Sequence, residues 1–510
     1  MSPAPLLAVL AGLLQTISLA TPWDGQPLWW LQLLACIALA CLLLDATSLR
    51  RAAGLGWLFG SAWLGSTFGW LYTSLHTYGG LAAPLALVAV LALAAVLSLY
   101  LAAACAVFYH FRHTHWALCA IVFGAINLLN DLARAQWFTG FPWGAAGYAH
   151  VDGPLVAYAP WVGVYGIGAI AATLAMLLVQ ALRRWGGGSA PASLALALLL
   201  AGLLPWGLGQ LNAGQNVPAL SAGRLPITLL QGNIPQGEKF EQGSGIPLAL
   251  QWYGQALRSA VTPLVVAPET ALPLLPGDMP VDYWPGLQQH VDASGHAALI
   301  GTPLGSFADG YTNSVRGLVP GQTTPYRYDK HHLVPFGEFI PPLFKWFTQM
   351  MRIPLGDFNR GAVGQASFEW QGQRIAPNIC YEDLFGEELA TRFVQADAAP
   401  TILVNLSNLA WFGDGQAIDQ HLQISRLRSL ELARPMVRAT NTGATVVIDH
   451  QGVITHQLPR STRGVLVAEV EGRLGITPYA WVTARWGLWP WWLGGILGLI
   501  AAAWGRRRRA

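Results

Sequence analysis

The distribution of apolar residues constrains this chain more than any motif does. Runs near 4–20, 28–46, 54–75, 82–109, 116–137, 155–182, 191–210 and 487–504 come close to or exceed the about 20 residues needed to cross a hydrocarbon core. Between the seventh and the eighth the composition is mixed. With 53% of 510 residues hydrophobic and only 11% charged, the chain falls outside the range of soluble globular domains. These features predict a polytopic helical membrane domain of about eight transmembrane helices, residues 1–210 and 485–510, interrupted by one soluble domain over 211–484. The start, Met1-Ser2-Pro3-Ala4-Pro5, has no basic leader, so the first run is expected to be a retained helix.

Loop charges orient this arrangement. Arg50-Arg51, Arg112, Arg183-Arg184 and Arg506 to Arg509 follow the second, fourth, sixth and last runs, while the alternate loops 21–27, 76–80 and 138–154 carry no Lys or Arg. The basic side is the cytoplasmic one. Seven spans then put 211–484 on the opposite face, the periplasm of a bacterium whose inner membrane holds the protein. A net charge of +3, spent at helix ends, excludes nucleic acid as a partner. In the fifth run Asp131 and Arg134 stand three apart on one helix face, open to two readings: a salt bridge near the outer interface, or Arg134 meeting a lipid phosphate.

From Leu225 the pattern changes to short runs bounded by turn residues: Pro226–Gln231, Leu264–Ala267, Ala298–Gly301, Ser314–Val319, Ile375–Cys380, Ile402–Leu406, Met436–Ala439, Thr445–Ile448 and Val465–Val470. Helical stretches at Pro247–Val261 and Gln420–Ala433 alternate with them, which makes this an α/β domain.

Polar residues at strand ends are the ones that carry chemistry in such folds. Cys36, Cys41, Cys105 and Cys119 lie in apolar runs, so Cys380 is the cysteine in soluble sequence, on a sharp turn expected to expose its thiol. A thiol with an ordinary pKa near 8.5 needs a base or a neighbouring cation to act as a nucleophile. Glu269, ending Val265 to Pro268, supplies the first, and Lys330 the second. His331 and His332 have no partner set at ligand spacing, so no metal is expected.

These residues, with Lys330-His331-His332-Leu333-Val334-Pro335-Phe336-Gly337-Glu338 and Ile379-Cys380-Tyr381-Glu382, resemble the carbon–nitrogen hydrolase (nitrilase) superfamily, and the flanking helices resemble its membrane-embedded acyltransferases. Leu230 to Gln236, Ser407 to Asp414, and Arg434-Pro435 with Arg438 to Gly443 extend the match over essentially the full length. The resemblance implies an αββα sandwich with Glu269 as general base, Lys330 as oxyanion stabiliser and Cys380 as nucleophile. It places Glu338 beside them as an additional carboxylate, Tyr381 and Glu382 in support, and Trp411 and Phe412 near an acyl-chain entrance. It implies no cofactor, and a monomer that moves the sn-1 acyl chain of phosphatidylethanolamine, through a thioester, to the N-terminal amine of diacylglyceryl apolipoproteins in the bilayer. The chain departs from the pattern of many relatives at Ala267 and Phe240, where they carry Trp, and at Leu409, where they carry Asp. The alternatives are a membrane-tethered amidase or nitrilase, whose thioester goes to water, and a receptor with an inactive hydrolase domain.

Overall fold

The computed structural model describes residues 3–184, 190–214, 220–340 and 358–507. Its backbone falls into two units, Met1–Tyr72 with Ala82–Gln215 and Trp486–Ala510, and Thr73–Leu81 with Asn216–Arg485.

In the first unit every expected apolar run is helical. Ala83–Phe111, Trp116–Gln136, Pro154–Arg183 and Ala190–Leu211 are long and apolar enough to cross a membrane, and the broken pair Pro478–Trp486 and Trp489–Arg507 makes a fifth if counted as one span. Ala4–Leu19 and Trp29–Leu44 have 16 residues each, about 24 Å of helix, and Leu49–Thr67 begins at a Ser48 cap that accepts from Arg51 N at 3.2 Å. Four or five spanning helices are thus supported by length and composition. Arg508 and Arg509 of the expected basic tail lie outside the described residues. The helices pack through small residues, as lipid-embedded helices do. A Cβ on Gly56 would stand 2.5 Å from Cys105 Sγ, and one on Gly60 would stand 2.8 Å from Ser98 Oγ. Larger residues on this seam would drive Leu49–Thr67 away from Ala83–Phe111.

The second unit contains two six-stranded sheets. One runs β12 (Gly464–Arg473), β1 (Ser221–Gln231), β2 (Leu264–Ala267), β3 (Ala297–Ser306), β4 (Gly310–Leu318), β5 (Tyr326–Asp329). The other runs β11 (Ile454–Gln457), β10 (Val446–Ile448), β9 (Met436–Thr440), β8 (Ile402–Ser407), β7 (Gln373–Ile379), β6 (Phe368–Trp370). Each has a parallel centre, β1-β2-β3 and β7-β8-β9, whose strands are largely buried and mainly apolar, with polar residues such as Asn378, Asn405 and Arg438 buried among them. Ile227, Leu229 and Val266 of the first sheet share one core with Ile375, Val404 and Val437 of the second. A separate core lies between the first sheet and helices Gly245–Ser259 and Tyr283–Ser294. Gly245–Ser259 contributes Ala249, Tyr253 and Leu257, which repeat at helical spacing. Gly295, with φ +72°, ends the other helix in the left-handed conformation that glycine adopts without steric penalty.

All nine strands expected from sequence are present within a few residues. β5, β6 and β11 are additional: β6 has three residues, and the other two are short, partly exposed runs without a clean apolar alternation.

Candidate active site

The ends of parallel strands collect the chemistry. Glu269 follows β2, Cys380 follows β7 and Asn408 follows β8, while Lys330 follows the antiparallel β5 and Asn313 points in from β4. A Cβ on Gly301 of β3 would stand 2.1 Å from Pro268 O and 2.8 Å from Glu269 Cα, so a bare glycine lets β3 press on the turn that carries Glu269.

Lys330 is fully buried. Its Nζ donates to Glu338 Oε1 at 2.9 Å and to Glu269 Oε1 at 3.4 Å. Asn313 Nδ2 bridges the same two oxygens, at 2.8 Å to Glu269 and 2.7 Å to Glu338, so one ammonium and one amide hold two carboxylates together. The other oxygens are also fixed: Glu269 Oε2 accepts from Asn408 N at 2.9 Å and Glu338 Oε2 from Val334 N at 2.8 Å. Burial opposes the charge on Lys330, and Glu338 and then Glu269 more than reverse this, leaving its pKa above the usual lysine range.

Cys380 opens a short 3-10 turn with φ +52°, a conformation costly for a residue with a Cβ and common where a side chain must be aimed. Three groups hold the turn. Glu382 Oε2 accepts from Ile379 N at 2.6 Å and from Tyr328 Oη at 2.7 Å, and its Oε1 accepts from His331 N and His332 N at 2.7 and 3.2 Å. Glu382 thus ties the end of β7 to the segment that carries Lys330. The Cys380 carbonyl accepts from Asn405 Nδ2 at 3.1 Å and His421 Nε2 at 3.2 Å. The thiol itself differs from the sequence expectation: Cys380 is 8% exposed, enclosed rather than displayed. Burial first, then the charge of Glu269, push its pKa up against the pull of Lys330, so it rests as a thiol.

His421 belongs to a buried cluster beneath the turn. Its Nε2 donates to Asp383 Oδ1 at 2.7 Å as well as to Cys380 O, and Arg438 Nη2 donates to its Nδ1 at 2.8 Å, which fixes the neutral Nε2–H tautomer. Burial lowers the His421 pKa, with Arg438 acting the same way against Asp383. The unfolded chain takes up a proton near pH 6.5 that folded His421 refuses, so this residue makes stability fall as the pH drops below about 6.5. We expect His421→Ala to lower stability by about 3 kcal/mol, because Asp383 and Arg438 lose a buried partner. His421→Gln, which keeps a donor for Cys380 O, should recover part of this and flatten the acid slope. Unfolding midpoints at pH 5.5 and 7.5 measure both effects.

The remaining sequence candidates separate. Tyr381 is buried and packs on His332 and Phe385. Trp411 is half-buried with its ring 5.7 Å from Tyr78, Phe412 leans on the shared core, and Phe240 is half-buried next to Lys239. Arg134 is 2% exposed within the helical unit, bonded to Asp131 at 3.4 Å and to the carbonyls of Phe141 and Trp143 at 2.9 and 2.6 Å. Of the two readings, the salt bridge between Arg134 and Asp131 is present, while the buried Nε of Arg134 has no partner among the described residues.

A sequence profile described as "Apolipoprotein N-acyltransferase N-terminal domain" matches residues 11–177, and one described as "Carbon-nitrogen hydrolase" matches 227–479. An apolipoprotein N-acyltransferase of Verminephrobacter eiseniae is 57% identical over 501 residues, 94% of this chain and 92% of that one. The chain belongs to the apolipoprotein N-acyltransferases. A second relative with that name, from Ralstonia nicotianae, is 47% identical over 514 residues, covering 99% of this chain and 94% of its own. Among solved structures, a carbon–nitrogen hydrolase from Helicobacter pylori G27 aligns with a TM-score of 0.37 at 13% identity, over 53% of this chain and 94% of that one. For an apolipoprotein N-acyltransferase the departures noted in sequence leave the polar cluster intact. Ala267 is buried in the helix-side core and Leu409 in the shared one.

Sequence motifs did not single out Asn313, Asn405, His421 or Lys239, and Asn408 lay within the Ser407 to Asp414 match without a role. Asn313 sits in mid-strand and His421 in mid-helix, and only the fold brings them within reach of residues more than 40 positions away.

Proposed function

We propose that this enzyme is a monomeric protein of the bacterial inner membrane, with eight spanning helices and a periplasmic αββα catalytic domain over 211–484. In this proposal it moves the sn-1 acyl chain of phosphatidylethanolamine to the α-amine of diacylglyceryl-cysteine on apolipoproteins. That it N-acylates lipoproteins follows from its family. The one-sided distribution of arginines supports the orientation, and the shared core of the two sheets supports the sandwich.

The observation that carries the chemistry is the cluster of Glu269, Lys330, Glu338 and Asn313 gathered with the enclosed Cys380. Cys380 Sγ attacks the ester carbonyl and its proton passes to Glu269. Lys330 stabilises the tetrahedral oxyanion, and the protonated Glu269 returns the proton to the departing lysophospholipid oxygen, leaving a thioester. The α-amine then attacks the thioester, Glu269 accepts its proton, and Cys380 leaves as a thiol after that proton is returned. Glu338 holds Lys330 in place, and Tyr381 and Glu382 hold the turn. Trp411, Phe412 and Phe240 line the approach of the acyl chain, and exposed Trp481, Trp486 and Trp489 suit the headgroup zone. A neutral fraction of the amine, whose pKa is about 7.7–8.0, outcompetes water only where water is excluded, which the burial of Lys330 and Cys380 favours.

Purified protein in vesicles of phosphatidylethanolamine labelled in the sn-1 chain, given a diacylglyceryl-cysteine peptide, should produce labelled amide and lysophospholipid in equal amounts. Labelled free acid with an unmodified peptide would replace this proposal with the amidase-type alternative.

A further inference from the structure

Positive charge in this chain is almost entirely arginine. Of 29 Lys and Arg residues only three are lysines: Lys239, Lys330 and Lys345. Lys345 lies outside the described residues, and the other two meet at Glu269. Arginine stays charged at any working pH, whereas a lysine ammonium is compact and can give up its proton when buried. Two lysines at one site in a chain that otherwise uses arginine point to a need for compact ammonium groups there.

Lys239 is fully buried, and its Nζ donates to the main-chain oxygen of Glu269 at 3.2 Å, a single acceptor for three N–H groups. The turn that presents it is rigid. Lys239 N donates to Pro235 O at 3.0 Å, and a Cβ on Gly245 would stand 2.0 Å from Glu238 O and 2.8 Å from Lys239 Cα. Gln236 of the same turn accepts from Asn408 Nδ2 at 2.8 Å, and its own buried Nε2 has no acceptor among the described residues. Asn408 N in turn holds Glu269 Oε2. The turn therefore brings an ammonium and an amide, both short of acceptors, to the Glu269 side of the site. Glu269, Glu338 and Lys330 by themselves leave one net negative charge, which opposes a thiolate. An isolated buried ammonium is equally unfavourable without a counter-charge. With Lys239 charged the two imbalances cancel, and they still cancel when the Cys380 proton passes to Glu269 and the negative charge moves to the sulfur.

We propose that Lys239 is the second cation of the site, a positioning residue that balances the negative charge as it moves from Glu269 to Cys380 and the tetrahedral oxyanion while the acyl-enzyme is made. The inference rests on the thioester route proposed above. The charged groups that face Lys239 are Glu269 and Cys380, both of which favour its protonation, while burial opposes it more strongly and lowers its pKa to about 8. Its charge is therefore present below about pH 8 and lost above. The other two groups with which it would share an alkaline titration, Lys330 and Cys380, are both shifted upward, away from that window.

The test is the rate of acyl-adduct formation on the full-length protein in phosphatidylethanolamine vesicles, followed by intact mass from pH 6 to 10. No acceptor peptide is present, and any titration of the lipid is common to every variant. The wild-type rate should fall as the pH rises through about 8. Lys239→Arg should acylate with that fall moved at least one unit higher. Lys239→Met should be about 10- to 100-fold slower below pH 8, with no fall near 8 and an unchanged KM for the lipid. A Lys239→Met protein that acylates at the wild-type rate with the wild-type pH profile overturns the role of Lys239, as does a loss of rate that only tracks a loss of folded protein and leaves the profile unchanged. An absence of adduct on the wild type overturns the thioester route, and this inference with it.

Discussion

Cys380→Ala should carry no acyl adduct after incubation with phosphatidylethanolamine, while the wild type gains the mass of one acyl chain that hydroxylamine removes. Transfer by the variant should fall by at least about 10⁴-fold, because removing a nucleophile removes the covalent route itself. The protein should still fold. Cys380 contributes its main-chain oxygen to Asn405 and His421, and alanine retains that oxygen. The resting thiol is protonated, held so by burial and by Glu269, so the proposed route requires Glu269 to take the proton as the sulfur attacks. An adduct on Cys380→Ala would place the acyl group on another residue and remove Cys380 from the mechanism.

Lys330→Met should be nearly as damaging for a different reason. The variant leaves Glu269 and Glu338 with oxygens that share Asn313 Nδ2 and lack a cation between them. Breaking a buried ion cluster in this way costs about 3–5 kcal/mol, and losing a preorganised oxyanion donor costs about 10²–10³-fold in rate. The two losses are separable. One carboxyl of the variant should bind a proton at an unusually high pH, so its stability should improve on acidification. The double variant Lys330→Met/Glu338→Gln should recover the melting midpoint at neutral pH and none of the transfer activity. Recovery of activity in the double variant would reduce Lys330 to a structural counter-ion.

Sequence and structure agree most closely where the signal is local. Buried parallel strands such as β8 and β9 are short, mainly apolar runs, each holding a polar residue, Asn405 or Arg438, and they appear within a residue or two of their expected limits. Lys330 and Cys380 stand out as candidates because Lys330 to Glu338 and Ile379 to Glu382 are contiguous motifs, and Glu269 because it ends a short apolar run. What escaped was long-range or contextual. The enclosure of Cys380 depends on Glu382 being drawn toward Tyr328 and His331, which no local pattern encodes. Arg134 offered two readings because sequence shows a charge but not the carbonyls of Phe141 and Trp143 that satisfy it. Lys239 was overlooked beside Phe240, although the scarcity of lysine was countable from the start.

The pairing of β1 with β12 sets a timetable for biogenesis. Gln231 lies opposite Gly464, and Leu225 opposite Val470, so the first strand of the catalytic unit gains its outer neighbour from the last. Contacts this far apart in sequence form slowly, because a long loop must close before any pairing energy is gained. During synthesis β1 waits with one edge unpaired while more than two hundred residues emerge, exposed to mispairing with other chains. The arrival of β12 closes that edge, and only the short stretch to Trp489 then separates the finished sheet from the final apolar helix. Truncations that remove β12 should therefore yield insoluble or degraded protein even when Glu269, Lys330 and Cys380 are all retained.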